Sequence, residues 1–238
     1  MRPTLSIVVP VYNEAAFIPQ ALPLLIAEME SLGLPYRIHL MENGSTDGSA
    51  DIARAVAGDA PITVSSLATA DYGNAMRQGF LEAEGDWVVN FDIDYFSANF
   101  LQAVMSTPDA DLVIGSKRDP DSQDRRPWIR RLATLVFNLM LRTILGSKVS
   151  DTHGMKAFRH NLVDDLAAIV VSRQDLYDTE LVIRAERSGY RIVEVPVVVE
   201  EIRTARSSLM KRVPRTIVGL LRIRRVLRTE RSTQPSSA

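Results

Sequence analysis

The sequence predicts an α/β protein, a set of parallel βαβ units forming one open sheet with helices on both faces. Three observations predict it. Short apolar and β-branched runs alternate with helical segments through the first 116 residues. Four polar clusters sit at the ends of these runs, where open parallel sheets bind ligands. The chain has 238 residues, 46% hydrophobic and 24% charged. Those values suit a domain that buries a large core without covalent staples.

The elements follow in order. Residues 5–10 (Leu-Ser-Ile-Val-Val-Pro) read as a buried strand. Residues 15–32 read as a helix, with Pro19 and Pro23 near its start. Residues 37–41 form a second strand, 43–48 a turn and 49–57 a helix. Strands at 62–66, 87–91 and 112–115 alternate with helices at 73–83 and 97–105. The second half changes character. Residues 128–145 read as one long helix, apolar nearly all round, which suits core, subunit interface or membrane face. Residues 151–159 read as a polar loop leading into a short extended piece, 178–188 as a helix and 191–200 as a strand. Pro196 places that strand at an edge or a bend. From Pro214, at a first-turn position, a basic helix is expected. Its stripe Ile217, Leu220, Leu221 and Leu227 lies opposite Arg215, Arg222 and Arg225, and the last eight residues are expected to be disordered.

Composition narrows the chemistry. There is no cysteine, which excludes a disulfide framework, a thiol nucleophile and a cysteine-ligated metal. Three histidines, His39, His153 and His160, leave little for a histidine-rich metal site. The net charge of −1 hides an asymmetry: residues 202–238 hold ten Lys/Arg and one acid, or +9, leaving −10 on residues 1–201. A basic tail on an acidic body suits an anionic contact, whether nucleic acid, a membrane surface or an acidic partner. The longest apolar stretch, residues 132–141, is half of the roughly 20 residues a membrane span needs. With no signal peptide in view, a cytoplasmic protein is expected, peripheral on the cytoplasmic membrane face.

The four polar clusters are Pro10-Val11-Tyr12-Asn13-Glu14, Glu42 to Gly48, Asp71-Tyr72-Gly73-Asn74, and Asp92-Ile93-Asp94. Turn residues and helix caps explain most single clusters of this kind; four on one rim of a sheet suggest a site. The sharpest is Asp92-x-Asp94. On an extended segment residues i and i+2 point the same way. Two carboxylates there repel unless a cation lies near, and Mg²⁺ or Mn²⁺ suits one or two carboxylates plus substrate phosphates. No P-loop and no G-x-G-x-x-G fingerprint follows the first strand, which disfavours a nucleotidyltransferase or a dehydrogenase.

These residues carry a resemblance. The runs 7–14 (Ile-Val-Val-Pro-Val-Tyr-Asn-Glu), 42–49 (Glu-Asn-Gly-Ser-Thr-Asp-Gly-Ser) and Asp92-Ile93-Asp94 resemble, in order and spacing, the family-2 inverting glycosyltransferases of the GT-A fold. Gly115-Ser116-Lys117, Trp128, Arg131, Asn138, Asp151 and residues 154–159 resemble the polyprenyl-phosphate hexose synthases, the dolichol-phosphate mannose synthase type. So do Glu180-Leu181, Arg184-Ala185 and residues 189–197, and the likeness runs from about residue 4 to 228. Three features depart from the pattern. Glu42-Asn43 replaces the usual twin aspartates, Tyr95-Phe96-Ser97-Ala98 replaces a polar residue and prolines, and the loop at Asp151-Thr152-His153-Gly154 is one residue shorter.

The resemblance implies a Rossmann-like, open, mostly parallel GT-A sheet over residues 1–201, with a C-terminal basic amphipathic helix. The nucleotide-sugar half is 1–116, the acceptor half 117–201, and the basic, membrane-associated tail 202–238. It implies a divalent-metal-dependent hexosyltransferase moving a hexose from a nucleotide-diphosphate sugar (GDP-mannose or UDP-glucose type) to a polyprenyl phosphate. Asp92 and Asp94 would hold Mg²⁺ or Mn²⁺. Pro10, Tyr12, Glu14, Asn43, Asp71, Arg77, Asp92 and Ile93 would bind the donor, with Glu14 accepting from a ribose hydroxyl and Arg77 adding a cation. Lys117 and Arg131 would bind the acceptor phosphate, helped by Arg118, His153 and Lys156; Asp178 and Glu180 are the candidate general bases. A homodimer is a further expectation, and no nucleic-acid partner is expected. Two alternatives stay open: a soluble or glycan acceptor, and a non-catalytic nucleotide-sugar-binding protein.

Overall fold

The structure is a computed structural model that describes residues 3–117, 119, 121–125, 127–150, 152, 154–173, 176–199 and 209–233. Nine strands and eight α-helices are described: β1 (Leu5–Val11), α1 (Ile18–Ser31), β2 (Tyr36–Glu42), α2 (Ser49–Ala57), β3 (Ile62–Ser66), α3 (Tyr72–Glu82), β4 (Trp87–Asn90), α4 (Ala98–Met105), β5 (Leu112–Ser116), β6 (Gln123–Asp124), α5 (Trp128–Met140), β7 (Lys156–Arg159), α6 (His160–Leu166), α7 (Tyr177–Arg187), β8 (Ile192–Pro196), β9 (Val198–Val199) and α8 (Leu209–Thr233). Seven strands form one sheet in the order β3-β2-β1-β4-β7-β5-β8, and β6 pairs with β9 in a small second ladder. All neighbours in the large sheet run parallel except β7, which pairs antiparallel with both β4 and β5.

The strands expected in the first half form, and a mostly parallel sheet covered on both faces is what the structure has; the strand expected over 191–200 divides into β8, in the large sheet, and β9, paired with β6. Near-continuous apolar sequence in β1 matches burial on both faces. Ile7 and Val9 pack with Leu22, Leu25 and Met29 of α1, while Val8 on the opposite face packs with Met76 and Phe80 of α3. A third cluster joins Leu141 and Leu145 to Leu176 and Ile183 and to Leu220, Ile223 and Leu227 of α8. Pro196 closes β8 at the sheet edge, where a missing donor costs nothing.

Several expectations change. Residues 160–166 form α6, which periodicity over so short a segment did not reveal. The helix expected over 128–145 is α-helical to Met140 and then π-helical over Leu141–Leu145. Its apolar residues face outward more than inward: Asn138 is the buried residue of α5, while Trp128, Leu132, Leu135, Val136 and Leu139 lie exposed. Helix α8 starts five residues before Pro214, at Leu209. It continues into the segment expected to be disordered, as far as Thr233, and residues 234–238 lie outside the described residues. Its expected stripe divides. Leu220 and Leu227, with Ile223, pack on the body, whereas Ile217 and Leu221 stay outside with Val213 and Val218. The domain boundary expected at 201/202 falls outside the described residues.

One core residue is out of register with its chemistry. His39 lies in the middle of β2, 4% exposed, and neither ring nitrogen has a hydrogen-bond partner among the described residues. Burial lowers its pKa below 6.5, opposed by Glu82 and Glu84 and reinforced by Arg37. The unfolded chain then takes up a proton first as pH falls through 6.5, so this site contributes stability above that pH and loses it below. A His39→Leu variant should lose less stability between pH 7 and pH 5 than the wild type in urea melts; parallel pH profiles would show that His39 is not the group responsible.

Candidate active site

The carboxyl ends of β1 and β2 open into two loops that lace together. Asn13 takes a left-handed backbone, φ 54°, and its Oδ1 accepts from the Thr46 amide at 2.9 Å. The Asn13 amide donates to Ser45 Oγ at 2.9 Å, the Glu14 amide to Ser49 Oγ at 2.8 Å and the Ala15 amide to Asp47 Oδ2 at 3.0 Å. Glu42 is buried and its carboxylate accepts from the Ser45 amide. Asn43, also buried, accepts the Asp71 amide at 2.7 Å, and Asp71 caps α3 by accepting from the Asn74 amide. Gly44 is required here: its φ is +69°, and a Cβ would lie 2.8 Å from the Ala70 nitrogen. Three polar clusters thus form one rigid rim, with Tyr12 exposed on it.

The fourth cluster sits beside them, after β4, because β1 pairs with both β2 and β4. Asp92-Ile93-Asp94-Tyr95 is a turn, closed by the Tyr95 amide donating to the Asp92 carbonyl at 3.0 Å, and not the extended segment expected. The buried Ile93 side chain anchors the turn in the core. The two carboxylates still act on each other. The Asp92 pKa is raised to about 6, first by desolvation and then by Asp94, with Lys156 opposing, Asp178 adding and Lys117 opposing. Asp92 nevertheless keeps exposed surface, so the group is open to a ligand while surrounded by protein charge.

Below it lies a buried ion pair. Lys156, first residue of β7, is fully buried; its Nζ donates to Asp178 Oδ2 and to the Gly154 carbonyl, both at 2.7 Å. Asp178 Oδ1 also accepts from the Thr179 amide. Lys117, just past β5, holds its ammonium 5.9 Å from the centre of the Tyr95 ring. Gly154, at φ +123°, leaves room for it: a Cβ there would lie 3.0 Å from the Lys117 nitrogen. The donor set fits a hard cation. Asp92 and Asp94 supply two adjacent carboxylate side chains, and among the described residues no cluster of three His, Cys, Asp or Glu forms. Such a pair holds Mg²⁺ or Mn²⁺ when a substrate's phosphates complete the shell.

Residues 6–167 match the profile of Glycosyl transferase family 2. The chain belongs to that family. Over 195 residues it is 32% identical to an uncharacterised glycosyltransferase of Mycobacterium tuberculosis, covering 81% of this chain and 83% of that protein. It is also 32% identical to the undecaprenyl-phosphate 4-deoxy-4-formamido-L-arabinose transferase of Serratia proteamaculans, over 67% of this chain and 50% of that protein. The glycosyltransferase AglD of Haloferax volcanii is 32% identical over 81% of this chain, but the chain spans only 32% of its length. The fold is that of glucosyl-3-phosphoglycerate synthase from M. tuberculosis, solved with Mn²⁺, UDP and glucosyl-3-phosphoglycerate. The TM-score is 0.67 and the identity 21%, over 93% of this chain and 80% of that one. This is the GT-A fold.

Within this glycosyltransferase, several residues stand elsewhere than their types suggested. The Lys156 ammonium is committed to Asp178 and Gly154 and is closed to an acceptor. Glu180 is no candidate base. It is fully buried, and its carboxylate accepts from the Val171 amide (3.1 Å), the Ser172 amide (2.8 Å) and Arg184 Nε (2.8 Å). Asp178 is likewise held in its ion pair. Arg77 of α3 donates to the Ala168 carbonyl at 3.0 Å. Ile93 can offer a ligand only its backbone. Pro10 is the one half-buried residue of the otherwise buried β1, and Glu14 is buried under the rim. Arg131 lies exposed in the first turn of α5. Arg118, His153 and Asp151 lie outside the described residues.

Sequence reading missed the network that carries this half of the site. Asn138 Nδ2 donates to the Ser150 carbonyl, Ser150 bonds to Ser116 Oγ (2.8 Å), and its amide and hydroxyl both donate to Glu194. Nothing local marks these partners, which lie 12, 34 and 44 residues apart. The ion pair gives a test. Asp178→Ala should cost about 3–5 kcal/mol by stranding a buried ammonium, and Lys156→Met/Asp178→Leu should recover most of it. Equal melting curves for Asp178→Ala and wild type would show that Lys156 finds another partner.

Proposed function

We propose that this chain transfers a hexose, with inversion, from a nucleotide-diphosphate sugar to a polyprenyl phosphate at a membrane surface, and that it needs a divalent metal. The observation that carries the acceptor half is the outer face of α5. Trp128, Ile129, Leu132, Leu135, Val136 and Leu139 are all 45–68% exposed. A contiguous apolar face of this kind marks an interaction surface. The inner face is tied through Asn138, Ser150 and Ser116 to the strand end that bears Lys117. No described helix is long and apolar enough to cross a membrane, so the proposed contact lies in the membrane plane. Arg131 and Arg142, exposed on the same helical segment, and the arginines of α8 suit an anionic leaflet.

In this reading the rim of β1 and β2, with Tyr12, Glu14, Asn43 and Asp71, holds base and ribose. Asp92 and Asp94 would hold Mg²⁺ or Mn²⁺, which would supply charge neutralisation for the diphosphate leaving group. Lys117 and Arg131 bind the acceptor phosphate. A phosphate monoester has a second pKa near 6, so at neutral pH it is already a nucleophile. That fits a site in which Asp178 and Glu180 are both spent on buried cations. The Serratia relative, an undecaprenyl-phosphate 4-deoxy-4-formamido-L-arabinose transferase, supports the same acceptor class. A soluble phosphorylated acceptor is the second reading, favoured by the ligands of the phosphoglycerate synthases of the same fold.

Product analysis separates the two. Purified protein with Mn²⁺ and a panel of UDP- and GDP-hexoses should convert a short prenyl phosphate to a prenyl-phosphate hexose, detected by mass spectrometry, and leave 3-phosphoglycerate untouched. Asp94→Asn should lower that turnover at least about a hundredfold, the scale of losing the charge stabilisation of a leaving group. Leu132→Glu/Leu135→Glu should abolish sedimentation with anionic vesicles while sparing the short acceptor. Glucosylation of phosphoglycerate instead of the prenyl phosphate would overturn the lipid reading.

A further inference from the structure

The C-terminal helix is joined to α7 by a chain of charges, buried at Glu180 and Arg184 and exposed at Glu230. Arg184 of α7 is 3% exposed, and its two terminal nitrogens donate to Glu230 of α8 at 2.9 and 3.1 Å. Its Nε donates to Glu180 at 2.8 Å, and Glu180 in turn accepts the amides of Val171 and Ser172. A second contact lies at the other end of α7. Gly219 of α8 packs on Leu176 so closely that a Cβ would fall 2.3 Å from its Cδ1. Leu176 immediately precedes Tyr177 and Asp178, whose charge acts on Asp92. Helix α8 therefore grips α7 at both ends, one contact polar and one steric.

We infer that Glu230, Arg184 and Glu180 form a positioning relay through which the C-terminal helix holds segment 170–173 and, with it, the first turn of α7, which carries the Asp178 that pairs with Lys156. The physical need is plain. Arg184 is buried with two carboxylate partners, so its guanidinium geometry is fixed by the bidentate Glu230 contact. Glu180, its second partner, has both oxygens spent, one of them on the Ser172 amide and the other shared between Val171 and Arg184. Loosening the outer carboxylate frees Arg184 to rotate, and Glu180 then loses the cation that balances it. Apolar packing by Leu220, Ile223 and Leu227 fixes where α8 lies; the relay fixes what α8 does to the site. Whatever displaces α8 then reaches Asp178 without touching a ligand.

Amide hydrogen exchange on the full chain tests the relay directly. The variants are Glu230→Gln, which removes the charge, and Glu230→Asp, which keeps it. In Glu230→Gln the amides of Val171 and Ser172 should exchange about tenfold faster, the scale of losing one charge-assisted hydrogen bond. Amides of β1 and β4 should keep their wild-type rates, and Glu230→Asp should restore part of the protection. Unchanged exchange at Val171 and Ser172 would overturn the relay. A uniform increase over the whole domain would overturn it too, because that is general destabilisation. The inference rests on the functional reading only for the meaning of the site. If wild type binds neither UDP nor GDP with Mn²⁺, that reading falls, whereas the exchange comparison still decides the relay.

Discussion

The Lys156–Asp178 ion pair is the interaction on which the rest of the structure depends. A fully buried ammonium is tolerated only with a carboxylate and a carbonyl around it, and Asp178 and Gly154 supply both. The pair joins β7, the single antiparallel strand of the large sheet, to the first turn of α7. Because β7 lies between β4 and β5, it also joins the rim of β1, β2 and β4 to the strand end that carries Lys117. The two halves expected of the chain are thus one sheet, stitched by a strand from the second half inserted beside the first.

Charge is arranged so that the site wants a cation. Asp92, Asp94 and Asp178 gather under the rim, and the positive groups that answer them, Lys156 and Lys117, do not cancel the repulsion at Asp92. Lys156 is already spent on Asp178. Asp92 and Asp94 would hold a divalent ion there, which would supply positive charge next to the donor's diphosphate. Asp178 and Glu180 are committed to buried ion pairs with Lys156 and Arg184, which removes both as bases. Outside the site, two helices carry the surface character: α5 turns an apolar face outward, and α8 divides its apolar residues between the body and solvent.

Much of this was legible in the sequence because it is local. Period and turn residues placed β1 to β5 and the helices between them, and the parallel topology followed, so three polar clusters fell on one rim and the Asp92 turn beside it. What escaped depends on distance along the chain. The antiparallel insertion of β7, the bonds of Asn138 to Ser150 and of Ser150 to Glu194, and the Arg184–Glu230 contact join residues with no shared periodicity. Lys156 and Glu180 looked like functional charges by type, and only burial revealed them as structural. Asp92-x-Asp94 was found by its residues and misjudged in its backbone: a turn, not a strand, brings the two carboxylates together. The fate of the α8 stripe was likewise undecidable from spacing, since each apolar residue fits either the body or the outer face.

The central claim is that these strand ends bind a nucleoside diphosphate through a metal held by the aspartate pair. Calorimetric titration of UDP and GDP into the protein, with Mn²⁺ and with excess chelator, tests it most directly. The account predicts saturable one-to-one binding of one nucleotide with Mn²⁺, lost with chelator and lost in Asp92→Asn/Asp94→Asn while the melting curve of that variant shows a folded protein. Equally tight binding in chelator, or in the double variant, would contradict it.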